Sequence, residues 1–283
     1  MPAGAAFLKP WLSELVAGLL FFAALRIGPR QAFGGFSEIR TSLLLTTLFQ
    51  FVLPITMLGV LALLGLLDHP IALPIVLLLA APAVSSSPSL TQMTGHNPAP
   101  ALRLMILGTV LLPLTALVPF WLLPTLGPLS EAVFATARLL IVIIIAVSLA
   151  FVLRGLFLPK PTETNLKAID GLNAIVMRVV IVGLMSAVSP AINNTPFIFF
   201  YWLAIAFVVN YGLQFVAYAI LGKTALKNDR AGYSIIAGNR NISLFLVALE
   251  PQLADDLLLF IGCYQVPMFL VPIFLRKFYK KNN

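Results

Sequence analysis

Apolar runs of about twenty residues, the length that crosses a hydrocarbon core as a helix, follow one another along almost the whole chain. Of its 283 residues 60% are hydrophobic and 10% charged, whereas a soluble domain carries roughly 25% charged residues. The bilayer is the main solvent, and inside it each backbone amide must bond within its own segment or to protein. The expected fold class is an all-α polytopic membrane protein, one transmembrane domain over residues 1–283. The net charge of +8 would suggest nucleic acid in a soluble protein. Here the basic residues fall in short loops, where they report topology instead.

Nine spans are expected, at 10–27, 41–67, 70–96, 98–123, 130–153, 166–189, 196–222, 232–250 and 255–278, the third and eighth of them broken. The first could be misread as a signal peptide, but Glu14 interrupts its apolar core and no soluble domain follows. Alternate loops are basic: Arg26, Arg30 and Arg40; Arg103; Arg154, Lys160 and Lys167; Lys223, Lys227 and Arg230; then Arg276, Lys277, Lys280 and Lys281. The loops at 67–70, 124–131, 189–196 and 250–256 have almost no positive charge. The expected topology therefore has the N-terminus outside and the C-terminus cytoplasmic, in the cell's inner membrane.

The two breaks carry the functional signal. Ser85, Ser86, Ser87, Pro88 and Ser89 interrupt the third span, and Gly238, Asn239, Arg240, Asn241 and Ser243 interrupt the eighth. Non-helical backbone at membrane depth persists only where protein or a water-filled cavity satisfies it. Paired breaks in corresponding halves point to a transporter's binding site. The simpler reading of the first is a proline kink whose serines bond back to the preceding turn. A mid-membrane charge is costly, and an arginine does not escape that cost by losing its proton. Arg240 therefore needs an anion, carbonyls or water. Either it bonds freed carbonyls of 85–89 and locks a crossing, or it also faces a substrate anion.

An ordered series recurs between the halves. Gln50-Phe51-Val52 and Gln214-Phe215-Val216 each precede a break, then a proline turn at Pro98 or Pro251, then a proline in the next span, Pro113 or Pro267. Spans two and seven differ by an odd number, so the repeats are inverted. Gln50 and Gln214 either pack between helices or line the site. Arg138 pairs with Glu131 or Glu14, or snorkels outward; Arg178, mid-span, has no explanation in the sequence. His69 and His96 read as loop residues, with proton coupling a minor alternative for His96. The single Cys263 and two histidines exclude a disulfide framework and a histidine metal cage. No nucleophilic triad, metal site or phosphate-binding glycine loop is visible, so no enzyme and no cofactor is expected.

Across nearly all its length the chain resembles the bile acid:sodium symporter family, within the wider bile acid, arsenite and riboflavin transporter-like group. The resemblance is carried by Ile236-Ala237-Gly238-Asn239-Arg240-Asn241-Ile242-Ser243-Leu244, by Pro82-Ala83-Val84-Ser85-Ser86-Ser87-Pro88 and by Gln50-Phe51. It implies a panel domain (helices near 10–27, 130–153 and 166–189) and a core domain (near 41–67, 70–96, 98–123, 196–222, 232–250 and 255–278). It also implies that the broken helices cross in the core beside the site, in a nine-helix form. The family's sodium-site Glu, Gln and Asn match Ile236, Arg240 and Pro88, and two hydroxyl ligands fall at Ala101 and Met105. Only Ser87 and Gln50 keep a ligand type. A guanidinium in that position repels sodium, so Arg240 is expected to stand in for a bound cation.

The expected function is alternating-access transport of a small organic anion, by uniport or exchange, without two-sodium coupling. A sodium-coupled symporter is the alternative within the class. A membrane sensor that kept the fold and lost transport is the alternative outside it. The bilayer and the anion are the expected partners; neither a nucleic acid nor a particular oligomer is implied.

Overall fold

The computed structural model describes residues 2–34 and 39–281 and is almost entirely helical, with no strand among the described residues. A short helix α1 (Pro2–Leu8) leads through a 3-10 turn into α2 (Leu12–Gly34). Helix α3 (Ile39–Thr47) passes through a π-helical turn (Leu48–Val52) into α4 (Leu53–Leu63). Two short helices follow, α5 (Ala72–Ala80) and α6 (Ser87–Met93), then α7 (Ala99–Leu122), α8 (Leu129–Phe157), α9 (Glu163–Asn194) and α10 (Pro196–Leu221). The chain ends with α11 (Arg230–Gly238), a 3-10 segment (Ile242–Val247), α12 (Pro251–Phe274) and α13 (Arg276–Lys281).

Among the described residues seven helices are long and apolar enough to cross a membrane: Ala3–Pro29, Ile39–Leu63, Ala99–Leu122, Leu129–Phe157, Glu163–Asn194, Pro196–Leu221 and Pro251–Phe274. The stretches expected as spans at 70–96 and 232–250 are not continuous helices, and none of their pieces is long enough to cross alone. The expected loops at 189–196 and 250–256 are corrected. Helix α9 runs on to Asn194, stopping just before Pro196, and α12 begins at Pro251, where a proline's missing N–H costs nothing. Outward faces are mostly apolar, with Leu114, Leu156 and Phe197 at least 70% exposed, as lipid contact requires.

The short pieces lie innermost. Every residue of α5 is buried, and α11 is buried from Ala231 to Gly238. Around α5 pack Leu112, Ala116 and Phe120 of α7 and Leu257, Phe260 and Tyr264 of α12, with the Phe120 and Phe245 rings 5.2 Å apart. Helix α2 packs against both α8 and α9, where Phe21, Phe22, Ala24 and Leu25 meet Ala150 and Ile169. Within α2, Gly28 adopts φ 71, outside the range that L side chains favour, and Pro29 cannot donate to the carbonyl of Leu25. Arg154 of α8 supplies the missing donor, bonding Leu25 O and Arg26 O. Helix α9 starts on a capping box, Thr162 with Asn165.

Candidate functional site

The two interrupted stretches meet at their interruptions. Helix α5 stops where Ala81 turns extended (φ −66, ψ 149), and the helical path resumes only at Ser87, with Pro88 in the first turn of α6. Helix α11 stops at Gly238, and a 3-10 segment starts at Ile242. Between these ends Ala83 and Arg240 form an isolated antiparallel bridge. Val84 N donates to Asn239 O at 3.0 Å, and Asn241 N donates to Pro82 O at 2.8 Å. Two non-helical segments thus satisfy each other where no helix does so.

A helix that stops at Gly238 leaves its last carbonyls without helical partners, and three of them, at Ile235, Ala237 and Gly238, are met by named groups. Asn239 donates to Ile235 O from both its backbone and its side chain, at 2.9 and 2.7 Å. Arg240 Nε donates to Ala237 O at 2.9 Å. Gly238 O accepts from Asn210 Nδ2 at 2.5 Å and from the Tyr264 hydroxyl. Gly238 must be glycine: a Cβ there would collide with the backbone oxygen of Asn210 and the side chain of Gln214.

Arg240 is 2% exposed. Its remaining donors reach two further helices, Nη1 to Ala81 O at 3.0 Å and Nη2 toward Phe49 O at 3.5 Å. Both acceptors are free because of the local backbone path. Ala81 lies beyond the end of α5, and the π-turn's i→i+5 partner for Phe49 is Pro54, which has no N–H. The guanidinium carbon also lies 5.2 Å from the Phe49 ring centroid. The expected contact with carbonyls of 85–89 is therefore corrected. The guanidinium takes the carbonyl just before that run, because the chain has already turned extended at Ala81.

The two glutamines are buried on either side. Gln50 sits in the π-turn and accepts from Thr115 Oγ1 at 3.5 Å; its amide nitrogen occupies the notch left by Gly108. Gln214 Nε2 donates to Asn210 Oδ1 at 2.7 Å, and Gln214 Oε1 accepts from the Tyr279 hydroxyl at 2.9 Å. Burial, and the adjoining Tyr218, raise the Tyr279 pKa and keep it a donor. A buried polar chain therefore links α13 to the end of α11. His96 lies in the turn after α6, its ring edge-on to Tyr279. Ser87 is fully buried, and its Oγ has no hydrogen-bond partner among the described residues. Ser85 and Ser86 are half-buried, Ser89 is exposed, and Asn241 accepts from Ser243 Oγ at 2.7 Å.

Asn210, Tyr264, Tyr279 and the Phe49 carbonyl complete the site and were not among the expected residues. Asn210 carried a readable signal, an amide one helical turn before Gln214 within an apolar run. Arg138 is exposed and makes no ion pair with Glu131 or Glu14. Among the described residues no group of acidic, histidine or cysteine side chains could hold a metal ion. Compared with known proteins, the chain matches no protein-family model and no curated protein sequence.

Proposed function

We propose that the chain is a secondary transporter of the cytoplasmic membrane, moving a small organic anion by alternating access around the contact between segments 81–87 and 238–243. The observation that carries this reading is the mutual satisfaction of two non-helical segments among the most buried residues of an otherwise lipid-adapted chain. Unwound backbone at that depth is expensive, and transporters use it to build sites. In this reading the two stretches are broken spanning helices, giving nine spans in two inverted repeats. Helices α2, α8 and α9 act as a panel that moves against a core formed by the rest. The resemblance to bile acid:sodium symporters supports both the mechanism and the anion. Arg240 does not add to the case for an anion, because it is 2% exposed and its Nε, Nη1 and Nη2 each point to a backbone carbonyl.

Coupling to two sodium ions is not part of the proposal, since a guanidinium lies where the resemblance would put a cation. One observation favours the sodium-coupled alternative: the Ser87 hydroxyl is buried without a partner among the described residues, at a position that keeps a ligand type.

Uptake of labelled organic anions into proteoliposomes, with and without a sodium gradient, tests the proposal. Saturable, sodium-independent uptake of one of them is expected. Uptake strictly dependent on sodium selects the symporter, and binding without flux selects a non-transporting sensor.

A further inference from the structure

Arg178 lies mid-way along α9, which runs from Glu163 to Asn194. The buried face of α9 is set by Ile169, Val180, Gly183, Leu184, Val188 and Ala191. At 100° per residue Arg178 falls on the opposite face, and it is exposed, beside the exposed Ile175 (56%) and Val182 (39%). It makes no ion pair among the described residues. Asp170, the nearest acidic residue along the helix, is held by Arg26 Nε at 2.8 Å.

Depth makes this exposure costly. The stretch 171–192 contains no other charge. Eight residues separate Arg178 from Asp170, about 12 Å along the axis, so a core of about 30 Å that begins beyond Asp170 has Arg178 close to its middle. That is further than a side chain snorkels. Lipid offers no partner there. A second copy docking by the same face would bring Arg178 against its own counterpart, with no carboxylate in the stretch to offset the repulsion. Ionisable groups at this depth instead face water and mark substrate paths.

We infer that Arg178 lines a water-accessible path and receives the oxyanion of an amphipathic substrate, a carboxylate, sulfonate or phosphate, with Ile175 and Val182 against its apolar part. A guanidinium binds such groups through two parallel hydrogen bonds. The term substrate rests on the transporter reading; the wet, anion-attracting site does not.

The chain simplifies the test, because its single native cysteine, Cys263, is 1% exposed. Ala174→Cys lies one turn from Arg178 on an exposed position. Its reaction with anionic and cationic membrane-impermeant methanethiosulfonates is compared with that of Leu172→Cys, a third of a turn around the helix from Arg178, and Ile145→Cys on α8. Expected is reaction at 174 but not at 172 or 145, faster with the anionic reagent by on the order of tenfold. Arg178→Gln in the Ala174→Cys background removes the preference. No reaction at 174, or a preference that survives Arg178→Gln, overturns the inference. If Ala174→Cys does not fold, Arg178→Cys is read for reaction with either reagent, and its silence counts equally against the path. None of these readouts needs transport. An Arg178-dependent preference in a protein that moves no anion upholds the site and removes the transporter reading, whereas uptake without accessibility does the reverse.

Discussion

Truncating Arg240 tests whether the meeting of the two non-helical segments is held by a tethered cation. In Arg240→Ala the carbonyls of Ala81 and Ala237 lose donors at 3.0 and 2.9 Å, and that of Phe49 loses a weaker one at 3.5 Å. A buried acceptor left without a donor costs about 1–3 kcal/mol, so two good bonds put about 2–6 kcal/mol at stake. Relief of the buried charge, itself a cost of several kcal/mol, offsets part of this. A net loss of about 3 kcal/mol is expected, which in a chain of this size lowers the melting temperature by roughly 6–12 °C. The assay is thermal unfolding in detergent, with guanidinium added at millimolar concentration, far below its denaturing range. If the vacated carbonyls bind guanidinium with Kd about 1 mM, 10 mM ligand restores roughly 1.4 kcal/mol. Urea, the neutral molecule of the same shape, is expected to restore nothing, and the wild type is expected to respond to neither. An Arg240→Ala protein that melts with the wild type refutes the reasoning. So does rescue by urea equal to that by guanidinium. Should the variant not be recoverable, Arg240→Lys must outlast Arg240→Met; the reverse order refutes the reasoning as firmly.

Gly238→Ala forces a methyl against the backbone oxygen of Asn210, which unlike a side-chain tip has nowhere to go; a loss of about 3 kcal/mol or more is expected, read as melting temperature or as failure to express. Tyr279→Phe removes one donor from the buried Gln214 Oε1, at an expected cost of about 1 kcal/mol, and Gln214→Leu in addition is expected to cost less than the two separate changes predict. Ser13 Oγ donates to Leu246 O at 2.8 Å, joining α2 to the 3-10 segment after α11. A disulfide in Ser13→Cys/Leu246→Cys is expected to arrest uptake until it is reduced, and uptake unchanged by the cross-link contradicts panel-against-core motion across that contact. The exposed ion pair Lys9–Asp255, 2.7 Å long, is expected to contribute less than about 1 kcal/mol, checked by a double-mutant cycle.

The membrane class was legible in the sequence because it rests on a local quantity, the length of each apolar run. The seven helices long enough to cross all overlap expected spans, with ends displaced by up to seven residues. The two interruptions were legible for a related reason. Serines, asparagines and an arginine in an apolar run have no local partner, so the chain announces that something distant must satisfy them. That Arg240 needs an anion, carbonyls or water was also readable, since no carboxylate lies at its depth in the broken stretches; that it takes carbonyls was not.

Which carbonyls it reaches was decided by tertiary structure alone. Phe49 O is free because the turn there is π-helical, so that the Leu53 N–H bonds Leu48 O and the i→i+5 partner of Phe49 is Pro54; an α-helical turn would have given Phe49 O the Leu53 N–H. Ala81 O is available because the backbone turns extended before the serines, to pair with a segment some 160 positions along the chain. Asn210, Tyr264 and Gly238 form one cluster only after α10, α11 and α12 are packed. Sequence determines which groups lack local partners, since that is a property of neighbours along the chain. The fold determines which orphaned donor meets which orphaned acceptor, since that pairing depends on contacts between helices that are far apart in sequence.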